Sequence, residues 1–163
     1  MRSQNTPNSP RARSGPEDRL ARIYAAVDSA LFGHGCEGTT ECCRFGITGR
    51  EPYVTPIEVA YLKASLRKQG KGLPGAKNRA LPLLGGNVSA ERACPLLQAD
   101  GKCAAYEARP FGCRTFFCER RTGPGKFPKA LVRELLNELS ALSEAECPSD
   151  AKARPLTRTL LGP

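Results

Sequence analysis

Apolar residues recur at helical intervals in three stretches of the chain and lose that period elsewhere. Leu20, Ile23, Tyr24, Val27 and Leu31 recur at helical spacing (i, i+3, i+4, i+7, i+11), which predicts one buried stripe on a helix over about 16–32. Ser14-Gly15-Pro16-Glu17 opens that stretch with capping-box spacing and an early proline, and Gly33 can close it. Thr55-Pro56-Ile57-Glu58 repeats the start: a capping hydroxyl, a proline where no N–H is needed, and a glutamate three residues after the cap. Ile57, Ala60, Tyr61 and Ala64, with Leu62 beside them, supply the apolar face of a second helix over 56–69. A third helix, over 128–146, carries Leu131, Val132, Leu135, Leu136, Leu139 and Leu142 as ordinary core.

The intervening sequence is loop-like. Residues 33–46 contain Gly33, Gly35, Gly38 and Gly46 without periodicity, and 70–90 are broken repeatedly by glycine and proline. Cys94 to Cys103 reads as a tight ribbon whose turn is Asp100-Gly101, which brings its two ends together. Residues 104–109 suit one helical turn stopped by Pro110, and Gly123-Pro124-Gly125 interrupts the chain again. Residues 1–14 have almost nothing apolar and read as a disordered tail, and 148–163 as an extended one. The expectation is one cysteine-cluster domain over 15–147, mainly α with little β, in which about three helices present irregular loops to a common site. No run of 18 apolar residues suggests a membrane span, and the first residues lack the apolar stretch of a secretory signal, so a cytoplasmic location is expected.

Composition turns attention to sulfur. The chain has 163 residues, eight cysteines and a single histidine, His34, so a multi-histidine metal site and a histidine relay are both excluded. The cysteines fall at 36, 42, 43, then 94, 103, 113, 118, with Cys147 apart. In a reducing compartment such thiols are metal ligands or redox groups more often than disulfides. Seven of the eight occupy the glycine- and proline-rich loops while the helices hold the apolar stripes, a division that suits ligands rather than core filler. Thiolates select zinc or iron–sulfur clusters, but no C-x2-C knuckle is present, so zinc-finger and zinc-ribbon spacings do not apply. Cys42-Cys43 is unusual because neighbouring side chains point in different directions.

The net charge of +9 bears on the same site. Four thiolates around a divalent ion leave a charge of about −2. Arg44, Arg109, Arg114, Arg120 and Arg121 all lie within a few residues of a cysteine and can offset it. Lys63, Arg67, Lys68, Lys71, Lys77 and Arg79 read as solvated surface. No nucleophile elbow, phosphate loop or dinucleotide fingerprint occurs, so no catalytic side-chain set can be nominated.

Cys36-x5-Cys42-Cys43, the middle Cys94-Pro95-Leu96, and Gly101-x-Cys103-x2-Tyr106-x2-Arg109-Pro110-x2-Cys113-Arg114-x3-Cys118 together resemble the YkgJ-type cysteine-cluster family, a zinc- or iron-chelating domain, over about residues 33–120. The second half is the specific part, with eight defined residue types over 18 positions. The first half departs from the family's C-x2-C-x2-C-C, since its second position falls on Thr39. The resemblance implies Cys36, Cys42, Cys43, Cys94, Cys103, Cys113 and Cys118 as ligands of a zinc or iron ion or of an iron–sulfur cluster. Arg109 and Arg114 would then donate to thiolate sulfurs or cap nearby carbonyls, and Tyr106 and Phe111 would shield the centre. Cys147 reads as a free thiol and His34 as a solvated side chain. Three functions follow for comparison: a structural or metal-handling module, an iron–sulfur redox protein or metalloenzyme, and a nucleic-acid binder. The last is disfavoured, because only ten aromatic residues occur and no stacking or recognition motif is present.

Overall fold

A computed structural model describes residues 15–31, 41–73, 93–116 and 127–162. The expected tail over 1–14, Gly33, His34, Cys36, Thr39 and Cys118 lie outside these residues. The described chain is mainly helical: α1 (Pro16–Ala30), a 3-10 turn (Glu41–Cys43), α2 (Phe45–Thr48), β1 (Tyr53–Val54), α3 (Pro56–Lys68), α4 (Phe111–Thr115), α5 (Lys129–Glu146), β2 (Arg154–Pro155) and α6 (Leu156–Leu161).

The three predicted helices form where expected, and their starts follow local chemistry. The Gly15 amide at the head of α1 donates to Asp18 Oδ2 at 3.1 Å, so the reciprocal contact is one residue later than Ser14 and Glu17 would place it. At the head of α3, the Thr55 amide and hydroxyl both donate to Glu58 Oε2, at 2.8 and 2.9 Å. α5 lies against α1 and α3, and α4 against α1.

Two clusters of buried side chains result. The helical one joins Leu20, Ile23, Tyr24, Val27 and Leu31 of the α1 region to Ile57, Phe111, Leu135, Leu139 and Leu142. Leu131 and Leu136 are 37% and 47% exposed, so the buried stripe of α5 is narrower than its apolar residues suggested. They flank the line Leu135-Leu139-Leu142, which is buried in the helical core with Val132 packed against it. The second cluster gathers Cys43, Phe45, Val54, Val59, Leu62, Leu66, Cys94, Leu96, Ala104, Ala105, Leu156 and Leu160.

α3 is the wall between the clusters. Ile57 faces the helical core, while Val59, Leu62 and Leu66 face the cysteine core. At 100° per residue this is a buried arc of about 200°, not the single Ile57-Ala60-Tyr61-Ala64 face. Ala60 is exposed accordingly. Glu58, 1% exposed, lies near the middle of the arc.

The described part of the expected extended tail, residues 148–162, instead contains a short strand and a helix. Arg154–Pro155 pairs antiparallel with Tyr53–Val54 in the register Tyr53↔Pro155 and Val54↔Arg154. The Leu156 amide donates to Pro52 O at 3.0 Å, and the Thr157 amide to Glu51 Oε1 at 2.6 Å, which satisfies the first donors of α6. Leu156 is fully buried and Leu160 nearly so, and both join the cysteine core.

Candidate metal centre

Each described cysteine of the loop group is carried by a short, tied-down piece of backbone. Cys42 and Cys43 lie in the 3-10 turn, and Cys43 O accepts the Cys94 amide at 2.7 Å, beside an antiparallel bridge between Arg44 and Ala93. That contact joins the first cysteine segment to the second. Cys94 and Cys103 flank the expected ribbon. The Gln98 amide donates to Lys102 O at 2.8 Å, the Ala104 amide to Leu96 O at 2.8 Å, and Leu97 bridges Cys103. Gly101 takes φ of +79° in the turn, a left-handed conformation that glycine adopts without strain. Cys113 sits in α4, where its amide and that of Arg114 donate to Pro110 O.

Five of the predicted ligands, Cys42, Cys43, Cys94, Cys103 and Cys113, line one cavity of about 420 Å³. Phe45, Leu96, Pro110 and Leu156 supply apolar walls, and Lys71, Lys102, Tyr106 and Arg109 also border it. The adjacent Cys42 and Cys43 open into the same space, with their sulfurs 3.9 Å apart, although neighbouring side chains commonly diverge. The turn conformation brings them to one side. Zinc–sulfur bonds of about 2.3 Å give a tetrahedral S···S edge of about 3.8 Å, so this pair is spaced as two ligands of one ion. The rest of the set is looser: among the described residues, no three His, Cys, Asp or Glu side chains close on a single point. All six described cysteines are free thiols.

The electrostatics favour protonated thiols before any ion enters. Hydrogen bonding to Cys43, then burial, pushes the Cys42 thiol up. For Cys43 the hydrogen bond from Cys42 acts downward, but the contact with Cys94, burial and the neighbouring sulfurs outweigh it and push the thiol up to about 12. Burial raises Cys103, opposed by the Ala105 amide, Arg109 and Lys71. Burial raises Cys113 most directly, with the charges of Cys103, Cys42, Cys43 and Glu58 adding to it. A bound cation reverses this balance, because a coordinated thiol loses its proton.

The two predicted arginines are placed differently. Arg109 borders the cavity, stacks its guanidinium 3.7 Å from the Tyr106 ring centroid and donates from Nε to Tyr106 O at 2.9 Å. Its charge lowers both Cys42 and Cys103. Arg114 donates to Arg109 O at 2.8 Å and Glu107 O at 2.6 Å, pairs with Asp28 and lies over the Tyr24 ring. It thus fastens the 105–110 loop to α1. Phe111 is buried in the helical core, where it anchors α4, rather than among the residues lining the cavity. Tyr106 does line it, half exposed. Lys71, read as solvated surface, borders the cavity with Nζ 3.5 Å from Ala104 O. Cys147 stands at the C-terminus of α5 and is not among the lining residues.

Two contributors escaped the reading of the sequence. Leu156 belonged to the supposed tail, although Pro155 followed by Leu156, Leu160 and Leu161 has the spacing of a short helix with a proline lead. Glu58 was legible as a capping residue but not as a tertiary one. Its Oε1 accepts the Tyr24 hydroxyl at 3.2 Å and the Phe111 amide at 2.7 Å, joining α1, α3 and α4.

No curated protein and no solved structure matches the chain. Residues 35–138, which include every cysteine of the loop group, match the CxxCxxCC family, described as a putative zinc- or iron-chelating domain, and the chain belongs to that family.

Proposed function

We propose that the thiol cavity binds zinc or iron, as a bare ion or within an iron–sulfur cluster, and that the chain is a structural or metal-handling module. Cys42, Cys43, Cys94, Cys103 and Cys113 are the proposed ligands, joined by Cys36 and Cys118. The observation that carries the reading is the convergence of five thiols, from four separate backbone segments, on one cavity. The Cys42–Cys43 spacing supports it further, because it already matches an edge of a thiolate tetrahedron. Arg109 is proposed to balance the negative charge of the loaded site from the cavity wall, and Arg114 to hold the loop that carries Arg109.

Metal content decides the matter. Protein purified anaerobically should contain at least one zinc or iron per chain by elemental analysis, and Cys113→Ser should lose part or all of it. Brown protein with visible absorption assigns an iron–sulfur centre and opens electron transfer, whereas colourless zinc protein removes it. Metal-free material that takes up neither zinc nor iron on reconstitution, iron being offered with sulfide, refutes the proposal.

A further inference from the structure

We infer that Glu58 is a positioning residue for Cys113: it holds α4 at the angle from which that thiol faces the other four. This rests on the metal-binding reading above. Glu58 is 1% exposed, and one oxygen suffices for its local task, since Oε2 takes both donors of Thr55. A capping carboxylate needs no burial, and burying one is costly unless its remaining lone pairs are occupied. Here Oε1 is turned inward to the Phe111 amide at 2.7 Å and the Tyr24 hydroxyl at 3.2 Å. The capping role therefore does not account for where the side chain lies; the link to α4 does.

α4 is a single helical turn of five residues, too short to fix its own orientation, so its anchors set it. Phe111 fixes one end twice, by its ring in the helical core and by its amide on Glu58. Gly112 lies flat on β1's approach, where an added Cβ would stand 3.1 Å from Pro52 Cβ. Cys113 comes next. A helix with its side chains has a radius of about 5 Å, so a roll of about 20° displaces a side-chain atom by about 1.7 Å. Metal–ligand distances tolerate only about 0.2 Å. Losing one of the anchors that resist the roll is enough to withdraw this ligand.

The test is a double-mutant cycle on the full-length, reduced chain, with cobalt(II) as the probe and a competing chelator to set affinity. Glu58→Gln should weaken cobalt binding about 10–100-fold, the cost seen when a residue supporting a ligand is changed. Its sulfur-to-cobalt charge-transfer band should fall by one thiolate per bound cobalt, as in Cys113→Ser. Glu58→Gln/Cys113→Ser should bind no more weakly than Cys113→Ser alone. A purely structural role would lower stability but leave the band per bound cobalt intact, and that result overturns the inference. Should Glu58→Gln fail to fold, Tyr24→Phe, which removes one donor from Oε1, should cost about threefold in affinity with Cys113 present and nothing in the Cys113→Ser background; equal losses in both backgrounds overturn it too. A native chain that takes up no cobalt refutes the metal reading and this inference together. Native uptake with an unchanged Glu58→Gln spectrum refutes this inference alone.

Discussion

Leu156→Ala tests whether the C-terminal segment is part of the site rather than an appendage. Leu156 is fully buried, lines the thiol cavity, and lies over 40 residues beyond Cys113. Removing three buried carbons forfeits about 2.4 kcal/mol of transfer free energy. The void left adds about 24 cal/mol per Å³, so roughly 50 Å³ that fails to collapse contributes about 1 kcal/mol more. Collapse is hindered here because the neighbouring space is already open. The expected loss is about 3–4 kcal/mol, a large fraction of the roughly 5–15 kcal/mol that holds a domain together. Urea unfolding of metal-free, reduced protein measures it, with an unchanged denaturant slope required before the midpoints are compared. Leu136→Ala is the control: 47% exposed on α5, it should cost within about 0.5 kcal/mol. Equal midpoints for the two variants would refute the packing argument and return residues 156–161 to the status of a loose tail.

Three further outcomes are expected. Gly112→Ala must push Pro52 and β1 away from a contact of 3.1 Å, so a loss of about 1–2 kcal/mol is expected by the same urea assay, with reduced zinc or iron content per chain by elemental analysis. Arg114→Lys keeps the charge but cannot bond Asp28, Glu107 O and Arg109 O together, and should cost about 2 kcal/mol; a thermal midpoint equal to wild type contradicts the clamp. The raised thiols predict alkaline lability of the metal-free protein. Their burial in neutral form is fully stabilising below the unfolded thiol value of about 8.5 and is lost as pH climbs towards the folded value, about 12 for Cys43. Thermal midpoints of metal-free protein should therefore decline from about pH 8.5 upward, and a flat profile to about pH 10.5 contradicts the shifts.

Much of the molecule follows from local patterns. The helices α1, α3 and α5 and the ribbon from Cys94 to Cys103 are written in spacing, caps and turn residues, each acting within a few positions, whereas Cys113, expected in a loop, stands in the short helix α4. Such short-range rules say which residues share a face. They do not say which flank of a face meets a neighbour, so Leu131 and Leu136 read as core beside Leu135, yet lie at the rim. The same limit hid the double burial of α3, because an arc covered on two sides has no single stripe to find. Pairing of Arg154–Pro155 with Tyr53–Val54 spans about a hundred residues and leaves no local mark. So it is with Glu58: its four-residue start motif announces a helix cap, while the contacts with Tyr24 and Phe111 exist only once three helices meet. The chain's own order thus determined the elements and the sulfur chemistry available. Tertiary packing decided which sulfurs meet and what holds them, because only long-range contacts bring together groups that the backbone keeps apart.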